Sequence, residues 1–232
     1  MFERLITALH TDSACAGDEE PSATRERLKA CFPPGAARRM TQLGMLVSAA
    51  LARVEPGADD AIIYATQFGE GRTLESFLES FPAASPTGFQ TSIHPGAVQQ
   101  GMIRRAQPVR EFFPMAGGAF LPGQALLAAM LSPAPRVVLC GGEERGTWLR
   151  EVGAAAGATF AYALALLGIN KSDTNENAAH AERALGRVML APADEPAAGL
   201  APAEWFALLH GRKNFDGIAA PGWRLRLTWS DA

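Results

Sequence analysis

Residues 136–144 read Arg-Val-Val-Leu-Cys-Gly-Gly-Glu-Glu, with an uninterrupted apolar run between the arginine and the glycine pair. Such a run, closed by a turn signal, is typical of a strand that is buried on both faces of a sheet. A second apolar run, Ala-Ile-Ile-Tyr-Ala-Thr, occupies residues 61–66. Because a doubly buried strand needs helices on both faces of its sheet, these two segments favour an α/β layer fold.

The remaining segments predict helices that alternate with strands. Apolar residues recur at helical spacing between residues 37 and 54, and Pro56 and Gly57 end that pattern. Residues 223–229, Trp-Arg-Leu-Arg-Leu-Thr-Trp, alternate as a half-exposed strand does. The order favours a single α/β domain with a mixed sheet. Further helices are predicted at residues 23–31, 73–81, 97–105, 123–131 and 202–210, further strands at 160–167 and 187–190, and an exposed loop at 171–182.

The composition is that of an ordinary globular protein. Of the 232 residues, 48% are hydrophobic and 19% charged, and the net charge of −3 offers no basic surface for nucleic acid. The three cysteines have no CxxC spacing and the four histidines are scattered, so neither a metal nor another cofactor is expected. The first residues lack the apolar core of a signal peptide, and no apolar run is long enough to span a bilayer. A cytoplasmic protein without membrane insertion is therefore predicted.

Two segments, residues 85–97 and 136–144, indicate a family relationship. Residues 85–97, Ser-Pro-Thr-Gly-Phe-Gln-Thr-Ser-Ile-His-Pro-Gly-Ala, are similar to a stretch of the chain-length-factor-like subunits of aryl polyene and related pigment pathways. Residues 136–144 resemble the strand and turn that follow the nucleophile helix in ketoacyl synthases. The other predicted elements follow in the family's order, so the resemblance covers residues 36–229. We therefore divide the chain into an N-terminal leader segment, 1–35, and a ketoacyl-synthase N-terminal-like domain, 36–232.

The resemblance implies one half of a thiolase-like fold, a mixed sheet with helices on its faces. A complete synthase has two such halves, and its catalytic histidines lie in the second. In a working synthase a cysteine begins the helix that precedes the Gly-Gly strand. Here the corresponding residues, 113–120, read Phe-Pro-Met-Ala-Gly-Gly-Ala-Phe, without Cys, Ser or Thr. Since condensation needs a nucleophile that holds the acyl group, the chain is not expected to be catalytic alone.

Two residues are weak candidates for chemistry. His94 has the side chain of an acid, base or ligand, but it stands beside a proline and a structural hydrogen bond is the favoured interpretation. Cys140 ends an apolar strand, where a free cysteine usually packs as a small hydrophobe and reacts slowly. The basic cluster of Arg104, Arg105 and Arg110 is interpreted as a solvated face, although an acidic carrier protein would be attracted to it.

The resemblance also implies a subunit contact. In the thiolase-like fold, the helix that corresponds to residues 97–105 and the strand before the nucleophile position line the twofold interface. The alternative is that these apolar residues face their own sheet, which helical spacing alone does not exclude. The predicted interface residues are Ile93, Ala97, Val98, Met102 and Ile103.

Three functions are consistent with these observations. The first is a non-catalytic, chain-length-factor-like partner of a catalytic ketoacyl synthase in fatty-acid, polyketide-type or aryl polyene biosynthesis, with an acyl carrier protein as a further partner. The second is a small thiol-dependent acyl-transfer enzyme that uses Cys140 with His94. The third is a homodimeric scaffold without lipid chemistry.

Overall fold

In the computed structural model, which describes residues 1–14, 19–93, 95–106, 108–146, 158–169, 174–196 and 199–230, one mixed sheet carries helices on both faces. The strands of these residues are β1 (Phe2–Ser13), β2 (Ala61–Thr66), β3 (Glu111–Ala116), β4 (Arg136–Glu143), β5 (Phe160–Gly168), β6 (Gly186–Pro192), β7 (Phe215–Ala220) and β8 (Trp223–Trp229). The α-helices are α1 (Pro21–Leu28), α2 (Gln42–Val54), α3 (Gly71–Glu79), α4 (Pro86–Ser92), α5 (Gly96–Arg105), α6 (Leu121–Leu131), α7 (Thr174–Arg183) and α8 (Pro202–His210).

The sheet has the strand order β3-β2-β4-β5-β1-β6-β8-β7. Strand β2 runs parallel to β3 and β4, and the other neighbouring pairs are antiparallel. Strands β2 and β4 are buried along nearly their whole length, as their continuous apolar sequences predict. The α/β class and the mixed sheet are therefore confirmed. None of the helices in the described ranges is both long enough and apolar enough to cross a bilayer.

Helices α2 and α5 pack closely on one face of the sheet. The Thr41 hydroxyl accepts a hydrogen bond from the Gly44 N–H at 2.8 Å and so caps the start of α2. Small residues then let the two helices approach: a Cβ at Gly101 would lie 2.4 Å from the Ser48 Oγ. The Ser48 hydroxyl donates to the Ala97 carbonyl oxygen at 3.2 Å. As a result, the first turn of α5 lies in the protein interior.

Helix α6 lies on the other face and is enclosed by the sheet. Its only polar residue is Gln124, and seven of its eleven residues are buried, as suits a largely apolar helix. It contacts β2 on one side and β7 on the other, although these strands are second and eighth in the sheet order. A Cβ at Gly123 would lie 2.3 Å from the Ala219 carbonyl oxygen, so only glycine permits this approach. The sheet must therefore curl around α6.

The predicted N-terminal leader contains a strand that the sequence analysis missed. Strand β1 lies in the middle of the sheet, between β5 and β6. Its apolar alternation is interrupted by a register shift between Ile6 and Ala8, and by Arg4, whose buried guanidinium binds backbone carbonyl oxygens. Contacts with residues far away in the chain stabilise this strand. Because its polar residues break the apolar alternation, the local sequence did not predict it. The short helix expected after it is present as α1.

Other elements agree with the predictions or differ for local reasons. The strands at 61–66 and 223–229 and the helix at 202–210 lie where they were predicted. The predicted exposed loop at 171–182 is wrong where it is described, because α7 begins at residue 174; residues 171–173 lie outside the described part of the chain. The last turns of α7 are largely exposed, so no apolar periodicity indicated a helix. Strand β7 and helix α4 were not predicted.

Candidate functional site

The turn between β3 and α6 is the segment in which the sequence resemblance predicts the nucleophile position. The Leu121 N–H donates to the Gly118 carbonyl oxygen at 3.0 Å, and the Gln124 N–H donates to the Phe120 carbonyl oxygen at 3.0 Å. The turn residues 117–120 and the first residues of the helix are Gly, Ala, Phe, Leu and Pro, without a thiol, hydroxyl or imidazole. This turn therefore contains no nucleophilic side chain whose pKa the dipole of α6 could lower.

Cys140 is fully buried in β4, which confirms the predicted burial. It lies on the α2 face of the sheet, in register with Tyr64 of β2 and Ala163 of β5. Burial raises the pKa of the Cys140 thiol far above its usual range, so the thiolate is disfavoured. His94, its proposed catalytic partner, lies outside the described residues.

We expect a maleimide at neutral pH to label Cys140 at least about 100-fold more slowly in the native protein than in denaturant, because only rare opening exposes the thiol. Mass spectrometry of the peptide that contains Cys140 measures both rates. The half-buried Cys31 is the internal control, and we expect it to be labelled in the native protein. Equal rates for Cys140 in both conditions would contradict its placement in the core.

Two buried glutamates, Glu143 and Glu144, lie at the C-terminal end of β4 and bind the segment that follows β2. Glu143 accepts hydrogen bonds from the N–H groups of Gln67 (2.5 Å) and Phe68 (2.9 Å) and from the Thr66 hydroxyl (3.1 Å). Glu144 accepts hydrogen bonds from the backbone N–H of Thr73 at 3.2 Å. Burial raises the pKa of Glu143 to about 7 and also raises that of Glu144. These side chains fix the turns that follow β2, and in the described residues no group of His, Cys, Asp and Glu is arranged to hold a metal ion.

Glu70 connects this cluster to α5. Its Oε1 accepts a hydrogen bond from the Ala97 N–H at 2.7 Å, while its buried Oε2 has no hydrogen-bond partner among the described residues. Burial, together with the charge of Glu144, raises the pKa of Glu70 to about 7. Folding therefore favours the protonated form of the Glu70 side chain. The sequence analysis had assigned no role to this residue.

Stability is expected to fall with rising pH because of Glu70. Its pKa of about 7 in the folded state exceeds the value of about 4.3 of an unperturbed glutamate. The folded state thus binds more protons between these values, and the free energy of unfolding declines as pH rises from about 4.3 through 7. We expect Glu70→Gln, which carries no charge, to flatten this decline and to be more stable than the wild type at pH 8 by about 1–2 kcal/mol.

Urea unfolding of the wild type and Glu70→Gln between pH 4 and 8 measures this effect. Replacement of the exposed Glu79 by glutamine is the control and should follow the wild-type curve. Parallel curves for the wild type and Glu70→Gln would show that Glu70 is already ionised at low pH in the folded protein.

Helix α3 presents its apolar side to solvent. Its large apolar residues have the spacing of one helix face, yet Leu74 and Leu78 are exposed, whereas the adjacent Glu75 is buried. The Phe77 ring lies 5.4 Å from the ring of Phe81, and it also contacts Phe89 of α4. An amphipathic helix that faces outward in this way is a candidate contact surface for a partner. The exposed large apolar residues of α3 to α5, which we call the apolar face, are Leu74, Leu78, Phe81, Phe89, Ile93 and Ile103.

The structure divides the predicted interface residues into two groups. Ala97 and Val98 are buried within the chain, in the apolar cluster around α2, whereas the alternative to the interface had placed them against the sheet. Ile93 and Ile103 are exposed, and Met102 is half-buried beside the α2 cluster. Any contact made by this segment therefore involves the exposed pair, with Ala97 and Val98 supporting α5 from within.

Strand β3, which follows α5 in the chain, forms one edge of the sheet. In the described residues it pairs only with β2, and the side chain of Phe113 is half-exposed. An unpaired edge with an exposed aromatic residue is a usual site of association. The edge and the apolar face together form the candidate partner interface.

Two arginines line a small cavity near the start of α2. Arg38 and Arg39 surround about 220 Å³ together with Thr73, Thr87 and Thr91. Both arginines are exposed, and neither forms an ion pair within the described part of the chain. The site is therefore cationic and suits an acidic group.

Of the predicted basic cluster, only the side chain of Arg110 lies in the described part of the structure. Arg110 lies 3.9 Å from the carboxylate of Glu111, so its charge is partly compensated. The side chains of Arg104 and Arg105 lie outside the described part of the structure.

Comparison with known proteins identifies the fold. No family model matches the sequence, and no relative is found among curated proteins. A chain of the structure "Ketosynthase (ApeO) in Complex with its Chain Length Factor (ApeC) from Xenorhabdus doucetiae" superposes with a TM-score of 0.68 at 18% identity, over 98% of this chain and 100% of that chain. "The ishigamide ketosynthase/chain length factor" gives a TM-score of 0.53 at 12% identity, over 82% of this chain and 64% of that chain. The chain therefore has the thiolase-like fold of ketosynthase-type proteins, as its sequence predicts.

Proposed function

We propose that this chain is a non-catalytic, chain-length-factor-like partner subunit of a ketosynthase, active in fatty-acid, polyketide-type or aryl polyene biosynthesis. The observation that carries the proposal is the combination, within one thiolase-like chain, of a β3–α6 turn without a nucleophile and an exposed apolar face on α3 to α5. Both superposed structures are described as containing a ketosynthase with a chain length factor, which supports this assignment.

The missing nucleophile favours a partner over an enzyme. Residues 117–120 form the turn before α6 and provide only backbone groups and the side chains of alanine and phenylalanine. Acyl transfer by Cys140 would require an accessible thiolate, and this thiol is fully buried. A protein of this kind contributes walls and contacts to a complex, and the catalytic subunit contributes the chemistry.

The candidate partner interface would receive the ketosynthase. The apolar face exposes two leucines of α3, which a globular protein normally buries, and β3 offers an open sheet edge. A specific complex would cover both, because apolar residues in the centre of an interface supply most of its binding energy. An acyl chain would then lie between the subunits, where the partner and this chain together limit its length.

An acidic carrier protein would be attracted to the cavity of Arg38 and Arg39. These charges have no acidic partner in the described part of the chain, so they are available to a negatively charged surface. In this proposal the apolar face binds the ketosynthase and the arginine cavity binds the carrier protein, which delivers substrates to the complex.

Coexpression with a ketosynthase from the same genome tests the proposal. We expect a stable heteromer by light scattering and, after incubation with acyl and malonyl carrier proteins, acylation of the ketosynthase alone by mass spectrometry. Stoichiometric acylation of this chain, at Cys140 or elsewhere, would favour the thiol-dependent enzyme. A homodimer that binds neither ketosynthases nor carrier proteins would favour the scaffold.

A further inference from the structure

Glu70 links the turn between β2 and α3 to the first turn of α5. Its Oε1 accepts the hydrogen bond from the Ala97 N–H at 2.7 Å, and a Cβ at Gly96 would lie only 3.5 Å from the same oxygen. The Ala97 carbonyl oxygen accepts from the Ser48 hydroxyl of α2 at 3.2 Å. The start of α5 is therefore held on one side by a hydroxyl group and on the other by a carboxyl group that can gain or lose a proton.

The second oxygen of this carboxyl group is not stabilised by a donor. The Oε2 of Glu70 is buried and has no hydrogen-bond partner among the described residues. Gln100 follows Ala97 by three residues, and so lies on the same side of α5, and its buried Oε1 also has no partner among them. An ionised carboxylate only accepts hydrogen bonds, whereas the protonated acid can also donate one. Because a buried charge needs compensating hydrogen bonds, these contacts favour the protonated acid.

The charged groups that act on Glu70 are acids. Burial, together with the charges of Glu144 and Glu143 at the end of β4, raises the pKa of Glu70 to about 7. Burial raises the pKa of Tyr64 on β2 well above its usual range, so this hydroxyl stays neutral. The charge of Arg72 on α3 acts on Glu144, and Glu70 forms no ion pair within the described ranges. Ionisation of Glu70 would therefore add a negative charge to a buried acidic cluster.

Other titratable groups of the neighbouring elements lie further from this contact or need a separate test. Helix α3 also buries Glu75, whereas the basic residues of α2 and α5 all lie in the last turns of those helices. His94, two residues before α5, lies outside the described residues. Since histidine titrates near neutral pH, its effect on α5 must be separated from that of Glu70 by a variant.

We propose that Glu70 makes the position of α5 depend on pH: the protonated acid holds the first turn of the helix against the chain, and ionisation releases it. The closed state binds the proton with a pKa of about 7, whereas a glutamate exposed to water has a pKa of about 4.3. Opening therefore becomes more favourable as pH rises, by about tenfold between pH 6 and pH 8. Because α5 carries Ile103 of the apolar face, its opening would also alter the candidate partner interface. That consequence rests on the proposed function, whereas the opening of α5 does not.

Amide hydrogen exchange of the purified chain, followed by mass spectrometry at pH 6 and pH 8 and corrected for the intrinsic effect of pH on exchange, tests the inference. We expect the amides of α5 to exchange faster than those of the core strand β4 at both pH values, because α5 opens without global unfolding. From pH 6 to pH 8 the corrected exchange of α5 should rise about tenfold in the wild type. In Glu70→Gln, which has no proton to lose, it should rise less than about twofold.

Two variants are matched controls. Glu79→Gln removes an exposed carboxylate from α3, and His94→Gln removes the histidine that precedes α5; both should keep the wild-type rise. A tenfold rise that persists in Glu70→Gln, or that is lost in His94→Gln, would overturn the inference. Equal protection of α5 and β4 in the wild type would also overturn it, even if Glu70→Gln did not fold, because α5 would then open only with the whole protein. Each result is obtained without a ketosynthase, so it is independent of the proposed function.

Discussion

Replacement of Arg4 by methionine is expected to lower the midpoint of thermal unfolding by about 10 °C, which corresponds to a loss of about 3 kcal/mol for a chain of this size. Arg4 is buried in β1, and its guanidinium donates to the carbonyl oxygens of Ser132 at 2.7 Å and Ala134 at 3.1 Å. Further hydrogen bonds reach the carbonyl oxygens of Pro135 at 3.3 Å and Leu166 at 3.4 Å.

The loss arises because methionine preserves the apolar stem but offers no donor. The carbonyl oxygens around the guanidinium then lie buried without their partner, and each such loss costs about 1–3 kcal/mol before the structure relaxes. The variant also avoids the desolvation cost of a buried guanidinium. This offsets part of the lost hydrogen-bond energy, so the net loss of stability is smaller than the summed cost of the unpaired carbonyl groups. These hydrogen bonds connect β1 to the segment between α6 and β4.

Differential scanning calorimetry of Arg4→Met and of a matched control measures the effect. Arg187 is 49% exposed in its side chain and pairs with Glu3 at 3.0 Å, so Arg187→Met should cost less than about 1 kcal/mol. If both variants melted at the same temperature, β1 would not be held in the sheet by Arg4. Retention of the wild-type midpoint by Arg4→Met would lead to the same conclusion.

Replacement of Ile103 by aspartate is expected to weaken the proposed complex with a ketosynthase about 30-fold or more, if Ile103 lies near the centre of the proposed interface. Ile103 is 77% exposed on α5 and is the most exposed residue of the apolar face. A charge at its position would be desolvated when a partner covers it. Leu78→Asp on α3 should have a similar effect if the apolar face is covered as one surface.

The isolated variants should remain folded, because substitutions at exposed positions usually change stability by less than about 0.5 kcal/mol. Leu131→Asp is the matched control, since Leu131 is a 60% exposed apolar residue at the end of α6 and lies outside the apolar face. Circular dichroism verifies folding, and light scattering with titration calorimetry measures the complex. Wild-type affinity in both Ile103→Asp and Leu78→Asp would exclude the apolar face as the contact.

The sequence predicted the elements whose stability comes from local composition. Continuous apolar runs gave β2 and β4, because strands buried on both faces need apolar residues at every position. It failed at β1, where a buried arginine is stabilised by carbonyl groups 128 to 162 residues away. It also failed to find Glu70, whose partner Ala97 is 27 residues distant and whose role no local pattern indicates.

What the sequence determined by itself is the fold class and the lack of a nucleophile in residues 113–120, since both follow from which residue types are present. Only the tertiary structure decided which sides of the helices face the core. Helical spacing shows that Leu74 and Leu78 share a face, and that Ala97 and Val98 belong to one turn, but it is equally consistent with either orientation. The contacts of α5 with α2 bury Ala97 and Val98, and the buried carboxyl cluster holds α3 with its leucines outward. These orientations depend on contacts between residues far apart in the chain, which local sequence does not encode.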